Sequence, residues 1–219
     1  MEKPEIRKEN VELLWDSRFL HVYDLQYAPG RHYYDASRRK KEDLIALKSE
    51  EEQKSMLPDA VSCFVIIAEE GREPRLLLQN EYRYPAGRFL LSVPAGLIDP
   101  EDAGCEDALL ATAKREIKEE TGVEVAETDR LFTVNPFVYS TPGMTDECNA
   151  LVCAVLHSFH PEQLSTEGAV GSECFDGFFL LTRADAKRIL RQGCDDAGVF
   201  YSIYTWAALS YFLSGMWEE

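Results

Sequence analysis

Short apolar runs, separated by polar and turn residues, recur along most of the chain, which is typical of β-strands. The run at residues 61–68 is apolar and flanked by polar residues, so we expect a buried strand there. Turn residues such as Pro29-Gly30 separate the runs. Strands are predicted at residues 19–25, 32–34, 61–68, 75–79, 89–93, 131–139, 150–156 and 174–181.

A second periodicity, of three to four residues, predicts helices. Leu110, Ala113 and Ile117 form an apolar stripe within the predicted helix 104–121, and a glycine follows as a helix stop. Further helices are predicted at 183–191 and 199–213, the second of them with Trp206 in the core. This order of elements predicts an α/β (α+β) fold in which a mixed sheet lies between helices.

Two regions of the chain differ in their patterns. Residues 1–58 contain the first two predicted strands and a highly charged stretch, 38–54, which is typical of a solvated connector. We predict a small β-rich amino-terminal region at 1–58 and a main domain at 59–219. The first region is too small to bury a core of its own, so we expect it to pack on something else.

Composition narrows the class of protein. Hydrophobic residues make up 45% of the 219-residue chain, which is typical of a globular protein. The formal net charge of −16 argues against sequence-independent binding of nucleic acid, which needs a basic surface. An anionic substrate is still compatible with this charge, because a metal ion and local arginines can set the potential inside a cleft.

Cysteine usage and hydropathy indicate the compartment. None of the six cysteines forms a Cys-x-x-Cys pair, which argues against a zinc site, and those in apolar runs, such as Cys63, are expected to be buried thiols. No stretch approaches about 18 apolar residues, so we expect no membrane span. The charged start Met1-Glu2-Lys3 contains no apolar signal segment. We therefore expect a cytoplasmic protein.

One charged run carries most of the chemistry: residues 115–123 read Arg-Glu-Ile-Lys-Glu-Glu-Thr-Gly-Val. Helical positions three and four apart share a face, so Glu116 lies one turn from both Glu119 and Glu120. Three oxygen ligands on one rigid ridge suit a hard divalent cation, Mg²⁺ above all. The alternative is a solvated face in which Arg115 and Glu119 form an ordinary surface ion pair. The strand end and glycine turn upstream, at 93–99, favour the cation site.

This run resembles the box of the Nudix hydrolase family, Arg-Glu-apolar-x-Glu-Glu-x-Gly-apolar, at every fixed position of the second half of that box. The first half departs from the family pattern, because Asp107 stands where a glutamate is expected and the best match to the box glycine is Gly96, across a longer loop. Four acidic residues are candidates to replace the first box glutamate: Glu101, Asp102, Glu106 and Asp107.

The resemblance implies a Nudix-type α/β/α sandwich with a divalent cation site. Mg²⁺ is the implied cofactor, with Mn²⁺ as a substitute. The implied ligands are the carboxylates of Glu116, Glu119 and Glu120 and the backbone carbonyl of Ala95. Glu119 and Arg115 are also implied to take part in catalysis.

Flanking segments are similar to the ADP-ribose pyrophosphatase branch of the same family. The segment Glu81-Tyr82-Arg83-Tyr84-Pro85 implies that Arg83 grips substrate phosphates, as a guanidinium fork can. Gly96 is implied to lie in the substrate site. The segment 140–147 matches the branch in part, which implies that Glu147 lines the pocket.

A general base is needed to take a proton from the attacking water. In related enzymes a glutamate on the loop before the last strand has this role. Glu173 is the preferred candidate, because it enters the strand as the family pattern does, and Glu167 is the alternative. For either residue the other interpretation is a solvated loop carboxylate.

Together these features predict Mg²⁺-dependent hydrolysis of the diphosphate bond in a nucleoside diphosphate sugar. ADP-ribose is the first candidate substrate, with AMP and ribose 5-phosphate as products. UDP-sugars or other nucleotide sugars are the second candidates, because no base-reading motif is visible. A non-catalytic Nudix-fold nucleotide sensor is a different class of function, and the intact Glu116, Glu119 and Glu120 argue against it.

The amino-terminal region is expected to take part in assembly. In related ADP-ribose pyrophosphatases this region reaches the partner protomer and helps to build its substrate pocket, which implies a homodimer. Trp15, Tyr33 or Tyr34 would then lie near the nucleotide base, on which an aromatic ring can stack. The alternative is that the region folds back on its own domain in a monomer.

Overall fold

The computed structural model describes residues 4–219, which cluster into two units. The first unit comprises the described residues up to Asp59 together with Phe137–Asn149. The second comprises Ala60–Pro136 and Ala150–Glu219. The segment 137–149 thus clusters with the amino-terminal residues, and the predicted functional division into 1–58 and 59–219 stays a prediction.

The first unit begins with a three-stranded antiparallel sheet made of β1 (Val11–Asp16), β2 (His21–Ala28) and β3 (Arg31–Ser37). The predicted turn joins β2 to β3, and Gly30 in this turn has a φ of 66°. The sequence does not predict β1, because its residues do not alternate: Val11 is its one buried residue.

The charged stretch after β3 is less solvated than its composition predicts. It contains the short helix α1 (Glu50–Ser55). Upstream of this helix, the Arg39 side chain is only 11% exposed, and its guanidinium lies 2.7 Å from Asp59 and 3.4 Å from Asp146. Breaking a buried pair of this kind is costly, because the remaining charge is left without a partner.

A seven-stranded sheet is the framework of the second unit, with strand order β10-β5-β4-β9-β8 and with β6 beside β5 and β7 beside β4. Its strands are β4 (Ala60–Ile67), β5 (Arg75–Arg83), β6 (Arg88–Ser92), β7 (Ala95–Leu97), β8 (Arg130–Tyr139), β9 (Cys148–Leu156) and β10 (Phe175–Leu181). β5 runs antiparallel to β4, β6 and β10. β4 and β9 run parallel, since Asp59 N donates to Cys148 O and Ala68 N to Leu156 O. The sheet is therefore mixed, as predicted.

Helices cover both faces of this sheet. They are α2 (Pro100–Ala103), α3 (Ala108–Thr121), α4 (Arg183–Gln192) and α5 (Ile203–Ser214). Strand β4 is buried on both sides: Phe64 and Ile66 belong to the core shared with α4 and α5, whereas Cys63 and Val65 belong to the core shared with α3. The side chains of a strand alternate between faces, so this one strand feeds both layers of an α/β/α sandwich.

Two predicted helices begin later in the chain than their patterns indicate. α3 begins at Ala108 rather than at 104, because the chain turns after α2 before the helix starts. α5 begins at Ile203 rather than at 199, where the Ser202 hydroxyl caps it. Trp206 is 51% exposed, so its prediction as a core residue is wrong. Its neighbour Thr205 faces the core instead, and successive helical residues point about 100° apart.

The helices and cysteines bear on two further sequence predictions, membrane spanning and thiol burial. Within residues 4–219, none of the helices has both the length and the hydropathy needed to span a bilayer. Three of the six cysteines, Cys63, Cys148 and Cys153, are buried thiols, as expected for cysteines in apolar runs.

Candidate active site

The acidic face of α3 is placed by the ends of the helix and by its apolar stripe. Asp107 caps the amino end by accepting a hydrogen bond from Leu110 N at 3.1 Å. Ala113 and Ile117 are fully buried against the sheet. Docking of that stripe also draws in the carboxylates beside it, so Glu116 is 5% exposed and Glu120 only 2%.

The short connection after β6 and the strand β7 that follows it lie against this acidic face. Cys63 N donates to Pro94 O at 2.8 Å, which ties the loop to β4. Ala95 N donates to Glu120 Oε2 at 3.2 Å. A Cβ built on Gly96 would lie 2.0 Å from Glu116 Oε1, so this position has room only for glycine while the carboxylate stays in place.

Arg115 binds the acidic residues around it into one network. Its Nη1 donates to Glu116 Oε1 at 2.7 Å and to Glu119 Oε2 at 2.9 Å. Its Nε and Nη2 donate to Asp102 Oδ2 at 2.9 Å and 2.8 Å, and Nη2 also donates to Leu97 O at 3.0 Å. Burial acts to lower the pKa of Arg115, but these hydrogen bonds and charges outweigh burial and raise it.

The same network distinguishes the four candidates for the first box glutamate. Of these four residues, Asp102 is the one that is buried and contacts Arg115. Asp107 is engaged as the helix cap, while Glu101 and Glu106 are exposed. Of the four candidates, Asp102 is therefore the one whose carboxylate accepts hydrogen bonds from Arg115.

Strand β5 contributes two residues that the sequence interpretation missed. Gln79 is fully buried, and its Nε2 donates to Glu120 Oε2. Glu81 is 8% exposed, and its Oε2 lies 2.6 Å from Arg83 Nη2. The signal in the sequence is an alternation of polar residues along the strand, which continues the face that Leu77 buries against α3.

Strand β10 brings the predicted base to the same place. Phe175 at the start of β10 pairs with Glu81, so the residues just before β10 run beside the end of β5. Glu173 is half-buried there, and its Oε2 accepts from Val170 N at 2.8 Å. The alternative base, Glu167, is exposed.

Burial and mutual repulsion raise the pKa values of the clustered carboxyls. Burial and, after it, the negative charge of Glu81 raise the pKa of Glu120 from 4.5 to about 9. Burial raises the pKa of Glu116 from 4.5 to about 7, although the charge of Arg115 opposes this rise. The charge of Glu173 acts in the same direction on both groups. The site is therefore short of positive charge.

The residues present can be tested against a divalent cation. Within residues 4–219, no three His, Cys, Asp or Glu side chains are arranged to hold a metal ion as they stand. Arg115 donates to Glu116 and Glu119, and Gln79 donates to Glu120. Two observations nevertheless fit a cation. The pKa values of the buried Glu116 and Glu120 carboxyls are raised even though Arg115 contacts Glu116, so the cluster is not fully compensated in charge. Gln79 Oε1 is a buried acceptor without a hydrogen-bond partner. The individual ligands stay a prediction.

The remaining predicted substrate residues belong to the first unit. Trp15, Tyr33 and Tyr34 are 54%, 48% and 59% exposed. The Tyr33 hydroxyl donates to Gly143 O at 2.9 Å. Glu147 is half-buried and follows the same segment. Their role in a substrate pocket stays a prediction.

Comparisons with known proteins bear on this arrangement. A sequence model of the NUDIX domain matches residues 56–192. An uncharacterized Nudix hydrolase of Schizosaccharomyces pombe is 34% identical over 104 residues, which is 48% of this chain and 46% of that protein. An ADP-ribose pyrophosphatase of Saccharomyces cerevisiae is 34% identical over 105 residues, which is 48% of this chain and 42% of that protein. The chain thus spans less than half the length of these curated relatives.

A solved structure shares the fold. It is described as an ADP compounds hydrolase and superposes with a TM-score of 0.62, covering 99% of this chain and 95% of that one. At 20% identity this likeness concerns the fold alone, and it agrees with the predicted sandwich.

Replacement of Gly96 by alanine should displace the Glu116 carboxylate without unfolding the protein. The new Cβ would lie 2.0 Å from the carboxylate, which is the movable end of a side chain. We expect Mg²⁺ or Mn²⁺ binding, measured by titration calorimetry, to weaken by about tenfold or more. Gly104→Ala is the control, because a Cβ there meets nothing closer than 3.5 Å. Equal cation affinity in both variants would contradict the assigned geometry.

The pH dependence of stability should reflect the buried carboxyls. Glu116 and Glu120 hold protons more tightly when folded than at their ordinary pKa of 4.5, so cation-free protein should lose stability as pH rises from there towards 9. Cation binding needs deprotonated carboxylates, so Mg²⁺ should raise the calorimetric melting temperature more at about pH 8.5 than at about pH 5.5. A Mg²⁺ effect that does not change with pH would argue against these ligands.

Proposed function

The chain belongs to the NUDIX domain family, and on that premise we propose that it hydrolyses the diphosphate bond of a nucleoside diphosphate sugar. ADP-ribose is the first candidate substrate, with AMP and ribose 5-phosphate as products. The observation that supports this most directly is the acidic face of α3. There Arg115 donates to Glu116 and Glu119, and the Glu116 carboxylate lies against Gly96 of β7.

Mg²⁺ is the proposed cofactor, and Mn²⁺ would replace it. The residues that would hold it are Glu116, Glu119 and Glu120, with the carbonyl of Ala95. When bound, such a cation neutralises phosphate charge and makes water a better nucleophile. Arg115 has a positioning role in the proposal, because its Nη1 bonds two of these carboxylates at once.

Arg83 is the proposed phosphate contact. Its side chain is 46% exposed at the end of β5, so its guanidinium can meet a ligand from solvent. A guanidinium presents its donors in a planar fork that matches phosphate oxygens. Gly96 would allow a substrate to approach the backbone closely, because it has no side chain.

Glu173 is the proposed general base. It is half-buried, and its charge already acts on Glu116 and Glu120, which places it within the electrostatic field of the site. Its role would be to accept a proton from the attacking water. Glu167 is the less suitable candidate, because it is exposed.

Two similar proteins support an adenosine-containing substrate. The Saccharomyces cerevisiae relative is named an ADP-ribose pyrophosphatase, and the solved structure is named an ADP compounds hydrolase. A panel of nucleotide sugars assayed with and without Mg²⁺ tests the proposal. Faster hydrolysis of UDP-sugars would indicate the alternative substrate, and binding without hydrolysis would indicate a nucleotide sensor.

Glu120→Gln should lower the hydrolysis rate by about a thousandfold or more, because a charged ligand of the cation is lost and several kcal/mol of transition-state stabilisation go with it. The fold should survive, since a glutamine oxygen can still accept from Ala95 N. Melting temperature in cation-free buffer at about pH 8 should even rise. The reason is that folding no longer has to protonate a carboxyl whose pKa is raised from 4.5 to about 9. Glu124→Gln is the control, because Glu124 lies near the end of the same helix and its side chain is 70% exposed. Near-normal turnover of Glu120→Gln at limiting Mg²⁺ would contradict the cation site.

Glu173→Gln should lower kcat by about 10²–10⁴-fold with little change in KM, because a base acts mainly in the transition state. Steady-state kinetics on ADP-ribose across a pH range would measure this effect. Glu167→Gln is the matched loop variant and should behave like the unmodified protein. If Glu167→Gln were the damaging change, the two residues would exchange roles. If neither change mattered, the base would lie elsewhere, with Glu119 as the next candidate.

A homodimer with two-fold symmetry completes the proposal. Eight large apolar or aromatic side chains between the start of β1 and the end of β3 are exposed: Leu13, Leu14, Trp15, Phe19, Leu20, Tyr27, Tyr33 and Tyr34. Exposed apolar groups in such number mark interaction surfaces. In the dimer, Trp15, Tyr33 or Tyr34 would lie near the nucleotide base of the partner's substrate.

Light scattering at micromolar concentration should give twice the chain mass of 24.9 kDa. Trp15→Ala should weaken ADP-ribose binding by about tenfold, because base–aromatic stacking contributes about 1–3 kcal/mol. Trp206→Ala is the matched control, since Trp206 is exposed to a similar degree, 51% against 54%, in the other unit. A fully active monomer would refute the shared pocket.

A further inference from the structure

Strand β5 changes from apolar to charged along one face. Leu77 packs in the core shared with α3, Gln79 donates to Glu120, and Glu81 and Arg83 follow at the same alternation. The side-chain environment changes with them, from fully buried at Gln79 to 8% exposed at Glu81 and exposed at Arg83. The mechanism proposed above uses Arg83 and leaves Glu81 without a role.

Glu81 is a carboxylate that is largely buried, although the proposed mechanism does not use it. A carboxylate that loses most of its hydration needs a partner, and in the part of the chain that the structure describes Glu81 is the acid found within 4.0 Å of the Arg83 guanidinium. The two groups are 2.6 Å apart. Glu81 and Arg83 are two residues apart in the strand, so their side chains project from the same face of the sheet.

The free end of this pair is the arginine. The Glu81 side chain is 10% exposed, whereas that of Arg83 is 46% exposed. A long arginine side chain in solvent samples many rotamers, and ordering it on binding a ligand costs affinity. An ion pair to a fixed, buried carboxylate orders it beforehand and leaves the remaining guanidinium donors for another acceptor.

We propose that Glu81 is a positioning residue, which holds the Arg83 guanidinium ready to bind the diphosphate of the substrate and is not itself a ligand of the cation. This inference rests on the proposed nucleotide-sugar substrate. It gives different roles to Glu81 of β5 and Glu120 of α3. Glu81 acts through Arg83, while Glu120 acts on the cation.

A double-mutant cycle tests this assignment. Glu81→Gln should raise the KM for ADP-ribose, and its dissociation constant measured calorimetrically with EDTA present, by about tenfold. The value of kcat should change by less than about threefold, and the Mg²⁺ concentration for half-maximal activity should stay the same. In an Arg83→Ala background, Glu81→Gln should change KM by less than about twofold, because the residue through which it acts is gone.

Glu69→Gln is the matched control. Glu69 pairs with Arg75, the first residue of β5, at 2.8 Å and with the exposed Arg72 at 3.1 Å, and its side chain is 15% exposed. The variant therefore removes a largely buried carboxylate that pairs with arginine at the opposite end of the same strand. It should leave KM and kcat unchanged. Glu81→Asp is the second variant, in case the glutamine variant does not fold. It keeps the charge but shortens the side chain by one methylene group. Its KM should lie between that of the unmodified protein and that of Glu81→Gln.

The outcomes separate this inference from the proposed function. If the unmodified protein neither binds nor hydrolyses any nucleotide sugar, the proposed function fails and the role of Glu81 fails with it. If the unmodified protein is active and Glu81→Gln has the kinetics of Glu69→Gln, the positioning role alone is overturned. A fall in kcat with a shifted Mg²⁺ requirement that persists in the Arg83→Ala background would make Glu81 a cation ligand and would also overturn it.

Discussion

The site depends on one electrostatic constraint, the burial of two like-charged side chains on the face of a docked helix. Glu116 and Glu120 cannot leave the interior, because the stripe containing Ala113 and Ile117 fixes the rotation of α3. Unpaired carboxylates in such surroundings are costly, and their raised pKa values express that cost. Arg115 offsets part of it from the exposed side of the cluster. A divalent cation would offset the rest, so the same charges that lower the stability of the cation-free protein would favour the proposed cofactor.

The buried carboxylates also account for the glycine at position 96 and for the position of Asp102. Gly96 lies against the Glu116 carboxylate so closely that any side chain would expel it. Asp102, on the short helix α2, completes the coordination of Arg115 by hydrogen bonds to two of its nitrogen atoms. The long loop after Gly96 is therefore compatible with the site, because the network needs a carboxylate near Arg115 and does not need it at a particular position in the sequence.

Strand β5 shows how the sheet supports the helix. Its face towards α3 begins with apolar Leu77 and then carries Gln79 and Glu81, which bond to groups that the site uses. The partners of these two residues, Glu120 and Arg83, are the groups proposed to meet cation and phosphate. In the proposed site, the groups that meet cation and phosphate would thus depend on side chains that are themselves largely buried, and the sheet would align them.

The sequence by itself determined the features that depend on local geometry. Helical spacing alone places Glu116 beside Glu120, and short apolar runs between turn residues predict most strands. The exceptions are β1, which has one buried residue, and the three-residue β7, where a turn was predicted. Tertiary structure decided the rest. Only the packed structure shows that Glu81 is buried near the cluster and that, of the four candidate acids, Asp102 contacts Arg115. The packing of α5 likewise decides that Trp206 points outward. The physical reason is that a periodic pattern shows which residues share a face, whereas the partner of that face is set by contacts between residues far apart in the chain.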